Sequence, residues 1–512
     1  DRSEYPPGVT DLIITSAAVA RMLPRVLRRE DRGRVSVPLA KVYKELVAHS
    51  GFSRPSALDD DAISTMADDH ATVLLRRREA ELDAQSVAVA VEASGQFAPT
   101  VMIPDGFRSA RTSLARLSEV LRTPKTDRAR RVSAAARETG ERMAACLPNF
   151  LRDELETVKG TIKAFSDDPV ELIACGQLPL MLAAPVVRVP VTPGAMLTRK
   201  LQLTDPIILH PRDFKNVLVL RGTQPRDPLY PMIEQLCRDV VGRTSGLELH
   251  VTDVRSRDDM KTALNKYQGA IAIIDAHGIH ATRRPGQLQI GQSLVQFAGE
   301  TWNMPAVVVL AACDTHPISR PQDTLAAGLL SAGARTVIGT LAEVGGPEAA
   351  VLCSNLLRCI ADLVPQLPGP IRWSELFART MWPTHVAQAF GTFAQEGVLS
   401  FRSGAFSDTL FEVERALWSF RQDWRLVAIE SFARLSGKNL EQIEELWRQC
   451  AYITDSCLYC QLGHPDTLFL VPNDDWGMDA DGESLVAARL AARLETSSTR
   501  ARERRSLRRD PA

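Results

Sequence analysis

The chain of 512 residues carries almost no net charge: 61 Lys+Arg stand against 62 Asp+Glu, a formal −1. A bulk field that recruits nucleic acid or anionic lipid is therefore excluded, and any such binding has to come from a local patch. Long apolar runs are also missing. The longest, such as Ala306–Cys313, fall far short of the roughly 18 residues a helix needs to cross a bilayer. Cysteine is sparse and irregularly spaced, and nine in the whole chain read as reduced thiols of a cytosolic protein rather than as a disulfide framework. No repeat occurs at the roughly 20–50 residue periods of solenoids. Gly345-Gly346 lies between a strand and a helix without a phosphate-loop Lys, so nucleotide binding is not expected. The chain opens Asp-Arg-Ser-Glu, with neither an initiator Met nor a charged-then-apolar leader, and it reads as an excised piece with upstream regions missing.

What is present is an ordinary globular composition, 45% hydrophobic and 24% charged, sufficient for a large buried core. At about 150 residues per domain the length predicts about three. Residues 1–165 read as a helical N-terminal region, with apolar residues at three- and four-residue spacing in Val37–Leu46, Ala62–Leu82 and Phe107–Leu121. Arg76-Arg77-Arg78 and the Arg21/Arg25/Arg28/Arg29 group are read as solvated faces of these helices. Glu171–Pro193 is rich in Val and Leu but broken by four prolines, which suits short strands better than a helix.

After Pro211 strands and helices alternate. Strands are expected at Val217–Leu220, Leu247–Val254, Ala270–Ile274, Ala306–Ala312 and Thr336–Leu341, with helices at Leu229–Val241, Arg257–Tyr267, Thr324–Ala332 and Pro347–Leu363. Gln287–Phe297 has the alternation of a hairpin. Continuous apolar strands separated by helices indicate a parallel sheet covered on both faces, an α/β domain placed at 166–365. Residues 366–476 return to helices, notably Leu410–Leu435 and Asn439–Cys450, with a last short strand at Thr467–Val471. In the tail, 477–512, Leu485–Leu494 is helical by pattern and is followed by six Arg between Arg500 and Arg509, read as a solvated end.

His277 and Cys313 each fall immediately after an apolar strand, at the edge where open α/β sheets bind ligands. A thiol with pKa near 8.5 is mostly protonated at neutral pH and gains from an imidazole that takes its proton. Gly278, lacking a Cβ, would let a substrate carbonyl approach, and its N–H with that of Cys313 would donate to an oxyanion. Asp275 and Asp314 are the nearest acids in sequence, and His280 and His316 flank the pair.

The runs AIAIIDAHG, VVVLAACDT and TLAAGLLSAGARTVIGTLAEV resemble the CHAT branch of caspase- and separase-like cysteine peptidases. LPLMLAAPVVRVPVTPG upstream and QLGHPDTLFLV downstream are similar to further parts of that family, the latter to its closing strand. The resemblance covers roughly Glu171–Leu363 well, the C-terminal third partly and the N-terminal helices hardly at all. It implies a caspase-like, mostly parallel sheet sandwiched by helices, with a His277/Cys313 dyad that cuts a specific partner protein after a selected P1 residue. It departs from the caspase signature, Gln-Ala-Cys-x-Gly with a His about 50 residues upstream, because here Ala-Ala-Cys313-Asp-Thr lies 36 residues beyond the His.

Family members place the P1-selecting charge after the first or the fifth strand. Arg221 and Arg226 would favour an acidic residue through a bidentate fork; Glu343 would favour a basic one, and the balance leans to basic. Cys450, Cys457, Cys460 and His464 form a pattern that superficially suggests zinc, but the closing strand accounts for it. No metal or cofactor is expected. The function implied is a cytoplasmic cysteine endopeptidase with a protein substrate and a regulatory partner or upstream activator, serving bacterial antiphage or programmed-death signalling. The alternative is a catalytically inactive caspase-like scaffold. No membrane contact is expected, and nucleic acid only through the Arg-rich tail.

Overall fold

A computed structural model describes residues 12–16, 80–93, 98–103, 110–123, 127–191, 206–279, 286–297, 301–318, 324–399, 403–418 and 423–475, apart from 82, 92, 159 and 245. The expected helices at Val37–Leu46 and over most of Ala62–Leu82, the early Arg clusters, His280 and the Arg-rich tail lie outside the described residues. Among the described residues ten strands form one sheet: β1 (Leu12–Ser16), β2 (Thr100–Ile103), β3 (Ile162–Phe165), β4 (Val186–Val189), β5 (Asn216–Arg221), β6 (Glu248–Asp253), β7 (Ile271–Asp275), β8 (Val307–Ala311), β9 (Thr336–Thr340) and β10 (Tyr459–Gly463). Their order is β2-β1-β3-β4-β10-β9-β8-β7-β5-β6. Every pair is parallel except β9 with β10. The fold is therefore α/β with a mostly parallel sheet.

Read inward from either edge, each half places its second strand outermost, then its first, third and fourth. Strands β7, β8 and β9 are fully buried along their length, as their uninterrupted apolar sequences require of a sheet covered on both faces. Helices Met232–Val241 and Gly346–Arg358 pack on one another, and the second also packs on β8. One contiguous core runs from Ala110 through both halves of the sheet to Leu470.

The N-terminal region differs from its sequence reading. Its helices are present at Arg111–Arg122, Arg128–Ala145 and Asn149–Thr157, yet it also contributes β1, β2 and β3 to the sheet. Four- and five-residue apolar runs have too short a span for a period of two to be told from a period of 3.6. The closing strand also differs: Tyr459–Gly463 joins the large sheet, whereas Leu468–Leu470 pairs with Ile371–Arg372 and Ile207–Leu209 in a separate three-stranded sheet. The expected long helix Leu410–Leu435 is two, Ser403–Trp418 and Trp424–Ser436.

Two ion pairs are buried where the halves of the sheet meet. Lys163 on β3 reaches Asp466 at 2.8 Å, and Arg188 on β4 reaches Glu171 at 3.0 Å. Burial of such charges is tolerated only because each has its counter-ion in place. No helix among the described residues is long and apolar enough to cross a membrane.

Candidate active site

β5, β7 and β8 lie side by side, and Arg221, Asp275 and Ala311 form one row across their carboxyl ends. The chain passes from β5 out to the edge at β6 and returns to β7 on the other side of β5. Strand order reverses there, which opens a crevice above the strand ends. His277 opens the short strand His277–Ile279, the first of an antiparallel three-stranded sheet completed by Gln287–Ile290 and Ser293–Val295. The expected hairpin is thus part of the support of the histidine.

Cys313 follows β8 on a turn clamped by buried threonines. The Thr340 hydroxyl donates to the Ala312 carbonyl at 2.8 Å and accepts from the Thr315 N–H at 3.2 Å, while the Thr340 N–H donates to the Thr315 hydroxyl at 2.6 Å. Asp314 takes a left-handed conformation, φ 51°, and its carboxylate pairs with Arg122 of the N-terminal helical region at 3.2 Å. It is thereby drawn away from any role in orienting His277.

Gly278 has a packing role that its sequence position does not show. A Cβ built there would lie 1.9 Å from the Cys313 carbonyl oxygen. The missing side chain admits the backbone of the loop that carries Cys313, and so brings the two strand ends together.

A small cavity of about 40 Å³ lies below this point and is lined by both His277 and Cys313. Its walls are mostly apolar, with Leu229, Met232 and Ile233 on one side and Val344 and Ala349 on another. Asp275 and Tyr459 also line it. Asp275 is 3% exposed, and its Oδ2 has no hydrogen-bond partner; the same holds for the buried Tyr459 hydroxyl. Burial pushes the Asp275 carboxyl up to about 7, with Asp227 adding to the rise and Arg221 and His277 opposing it. Asp275 also lies too deep to orient the imidazole, and the structure gives that place to another acid.

That acid is Asp227, on the loop after β5. His277 Nε2 lies 2.6 Å from Asp227 Oδ2, and Asp227 Oδ1 accepts the Leu229 N–H at 2.9 Å. The Leu229 N–H, together with His277, holds the Asp227 carboxyl below the usual carboxylate range. An ionised carboxylate at Nε2 fixes the proton there and leaves Nδ1 as the basic nitrogen. Sequence reasoning missed Asp227 because it stands 50 residues before the histidine, and only the strand order of the sheet brings its loop alongside.

Cys313 is partly exposed, and its Sγ donates to the Val344 carbonyl at 3.4 Å. Burial raises its pKa; the Val344 contact opposes this, and the negative charges of Glu343, Asp314 and Asp455 add to it. The thiol is therefore held protonated in this state and depends on a base to ionise.

The remaining residues separate clearly. Arg221 is 8% exposed, bonded to Asp253 at 2.6 Å and to Glu234, and lies 3.7 Å from the Tyr230 ring centre. A guanidinium with its fork already filled does not select an acidic substrate residue, so that expectation is corrected. Arg226 and Glu343 are exposed and outside the cavity wall. His316 is buried, with Nδ1 2.9 Å from the Thr324 hydroxyl, and does not line the cavity. The four residues of the zinc-like pattern do not converge. Cys450 Sγ donates to Leu446 O, Cys457 Sγ meets His385 Nδ1, and Cys460 Sγ donates to Gly339 O. Among the described residues no group of three or more His, Cys, Asp or Glu side chains is gathered as a metal would need.

No protein-family model matches the chain, and no curated protein matches it.

Proposed function

We propose that the protein is a cysteine endopeptidase of caspase-like architecture, in which His277 and Cys313 form the catalytic dyad and Asp227 orients the histidine. The observation that carries this reading is a cavity lined by both dyad residues, with His277 held at Nε2 by a carboxylate. Nδ1 then takes the Cys313 proton as Sγ attacks the scissile carbonyl, and the backbone N–H groups of Gly278 and Cys313 receive the oxyanion. His277 passes that proton to the leaving amine, and water hydrolyses the thioester. Because the thiol is held protonated, ionisation accompanies substrate engagement rather than preceding it. On the resemblance to the CHAT branch, the substrate is a partner protein cut in cytoplasmic antiphage or programmed-death signalling, under the control of a regulatory protein.

One observation favours a second reading, an inactive scaffold: the Cys313 thiol is bonded to Val344 and shifted away from ionisation. A thiol-reactive peptide probe at neutral pH separates the two. Selective labelling of Cys313, and cleavage of the partner that is lost in Cys313→Ala and kept in Cys353→Ala, is expected of the peptidase. An unlabelled Cys313, or cleavage that survives Cys313→Ala, excludes it.

A further inference from the structure

The cavity below the dyad contains an unusual combination. Its walls are mostly apolar, yet three buried polar groups that line it, the Asp275 carboxyl and the Thr223 and Tyr459 hydroxyls, each have an atom with no hydrogen-bond partner in the protein. A buried polar atom left unpaired costs on the order of 1–3 kcal/mol, and more if charged. A fold that only needed a filled core would place an apolar residue at the end of β7. The acceptor stands instead where the first and third strands of the C-terminal half diverge, beside both members of the dyad.

Resting on the peptidase reading, we propose that Asp275 is the specificity-determining residue of the site, and that the cavity takes the side chain of a lysine at P1. The apolar walls formed by Leu229, Met232 and Val344 suit a methylene chain, and an ammonium group at its end supplies the donors that Asp275 Oδ2 and the Tyr459 oxygen lack. Arg221, the arginine at the end of β5, is already bonded to Asp253 and Glu234 and offers nothing to an acidic P1 residue. A volume of about 40 Å³ holds about three water-sized groups, at roughly 10–15 Å³ for each. That suits the slender end of lysine better than the wider guanidinium of arginine.

Two measurements on the full chain test this. In the first, fluorogenic peptides differing only at P1 (Lys, Arg, Met, Asp) are compared in kcat/KM. The wild type is expected to favour Lys over Met and Asp by at least tenfold, and Asp275→Asn to lower the Lys-to-Met ratio by at least tenfold. In the second, n-butylammonium, which mimics the lysine side chain, is expected to raise the Tm of the wild type but not of Asp275→Asn, with n-butanol raising neither. A preference for Asp or Met, or a ratio indifferent to Asp275→Asn, overturns the proposal. If no peptide is cleaved in a Cys313-dependent manner, it is the peptidase reading that fails. The butylammonium result then decides the cation pocket by itself, and a shift equal in wild type and Asp275→Asn rejects it.

Discussion

Asp227 Oδ2 and His277 Nε2 lie 2.6 Å apart, one on the loop after β5 and the other just beyond β7. The contact gives the histidine a fixed tautomer and orientation before any substrate arrives. It also occupies Nε2, so that Nδ1 is the nitrogen left for the base role in the proposed peptidase.

Asp227→Asn is therefore expected to lower kcat by about 10²-fold or more with little change in KM, since an amide can present its N–H and favour the wrong tautomer. Steady-state kinetics on a cleaved peptide would check this. A proportional rise in KM at constant kcat would mean that Asp227 binds substrate instead of orienting the base.

Gly278→Ala is expected to separate the two strand ends, because the new methyl would meet a backbone carbonyl that cannot rotate away. Overpacking of this kind costs about 1–3 kcal/mol. Thermal unfolding and probe labelling of Cys313 should both fall, and a variant that matches the wild type in both would show that the contact relaxes freely.

The raised pKa of Asp275 has a defined sign in stability. Its folded value of about 7 lies above the ordinary aspartate value of 3.8, so the folded state binds more protons between these limits. Its contribution to stability falls as pH rises through that window, and the penalty is complete above about 7. Three pKa units correspond to on the order of 4 kcal/mol. Asp275→Asn should therefore stabilise the protein at pH 8 by clearly more than at pH 4.5 in urea unfolding. A difference independent of pH would place the carboxylate in a solvated environment.

The Lys163–Asp466 pair, with both side chains 4% exposed, predicts an asymmetry. Asp466→Ala leaves a buried ammonium unpaired and should cost about 3–5 kcal/mol, whereas Lys163→Met combined with Asp466→Leu should recover most of that loss. Denaturant titrations of the single and double variants decide it, and a double variant as unstable as the single one would show that the pair does more than neutralise itself.

Much of the C-terminal half of the sheet was legible from residue order. Apolar runs such as AIAII and VVVLA admit few structures other than buried parallel strands, and the positions of His277 and Cys313 just beyond them followed from where those runs stop. The N-terminal half was less legible. LIITS and TVMI are too short for their period to be read, and a strand of that kind is defined by the neighbours it pairs with. Lys163 further disguised β3, because a charge in a strand looks like a solvent-facing residue until its counter-ion is seen.

The sequence by itself determined the alternating α/β order, the two strand ends carrying His and Cys, and the absence of long apolar helices and of bulk charge, since these depend on local composition and spacing. Only the tertiary structure decided which charges the site uses. Arg221, Asp227, Asp275 and Asp314 look equivalent along the chain. In space one is bonded to Asp253 and Glu234, one holds the imidazole, one is buried in the cavity wall and one pairs with Arg122. The role of a charge depends on what lies within a few ångströms of it, and contacts spanning 50 residues, as between Asp227 and His277, or 192, as between Arg122 and Asp314, are set by strand order rather than by spacing along the chain.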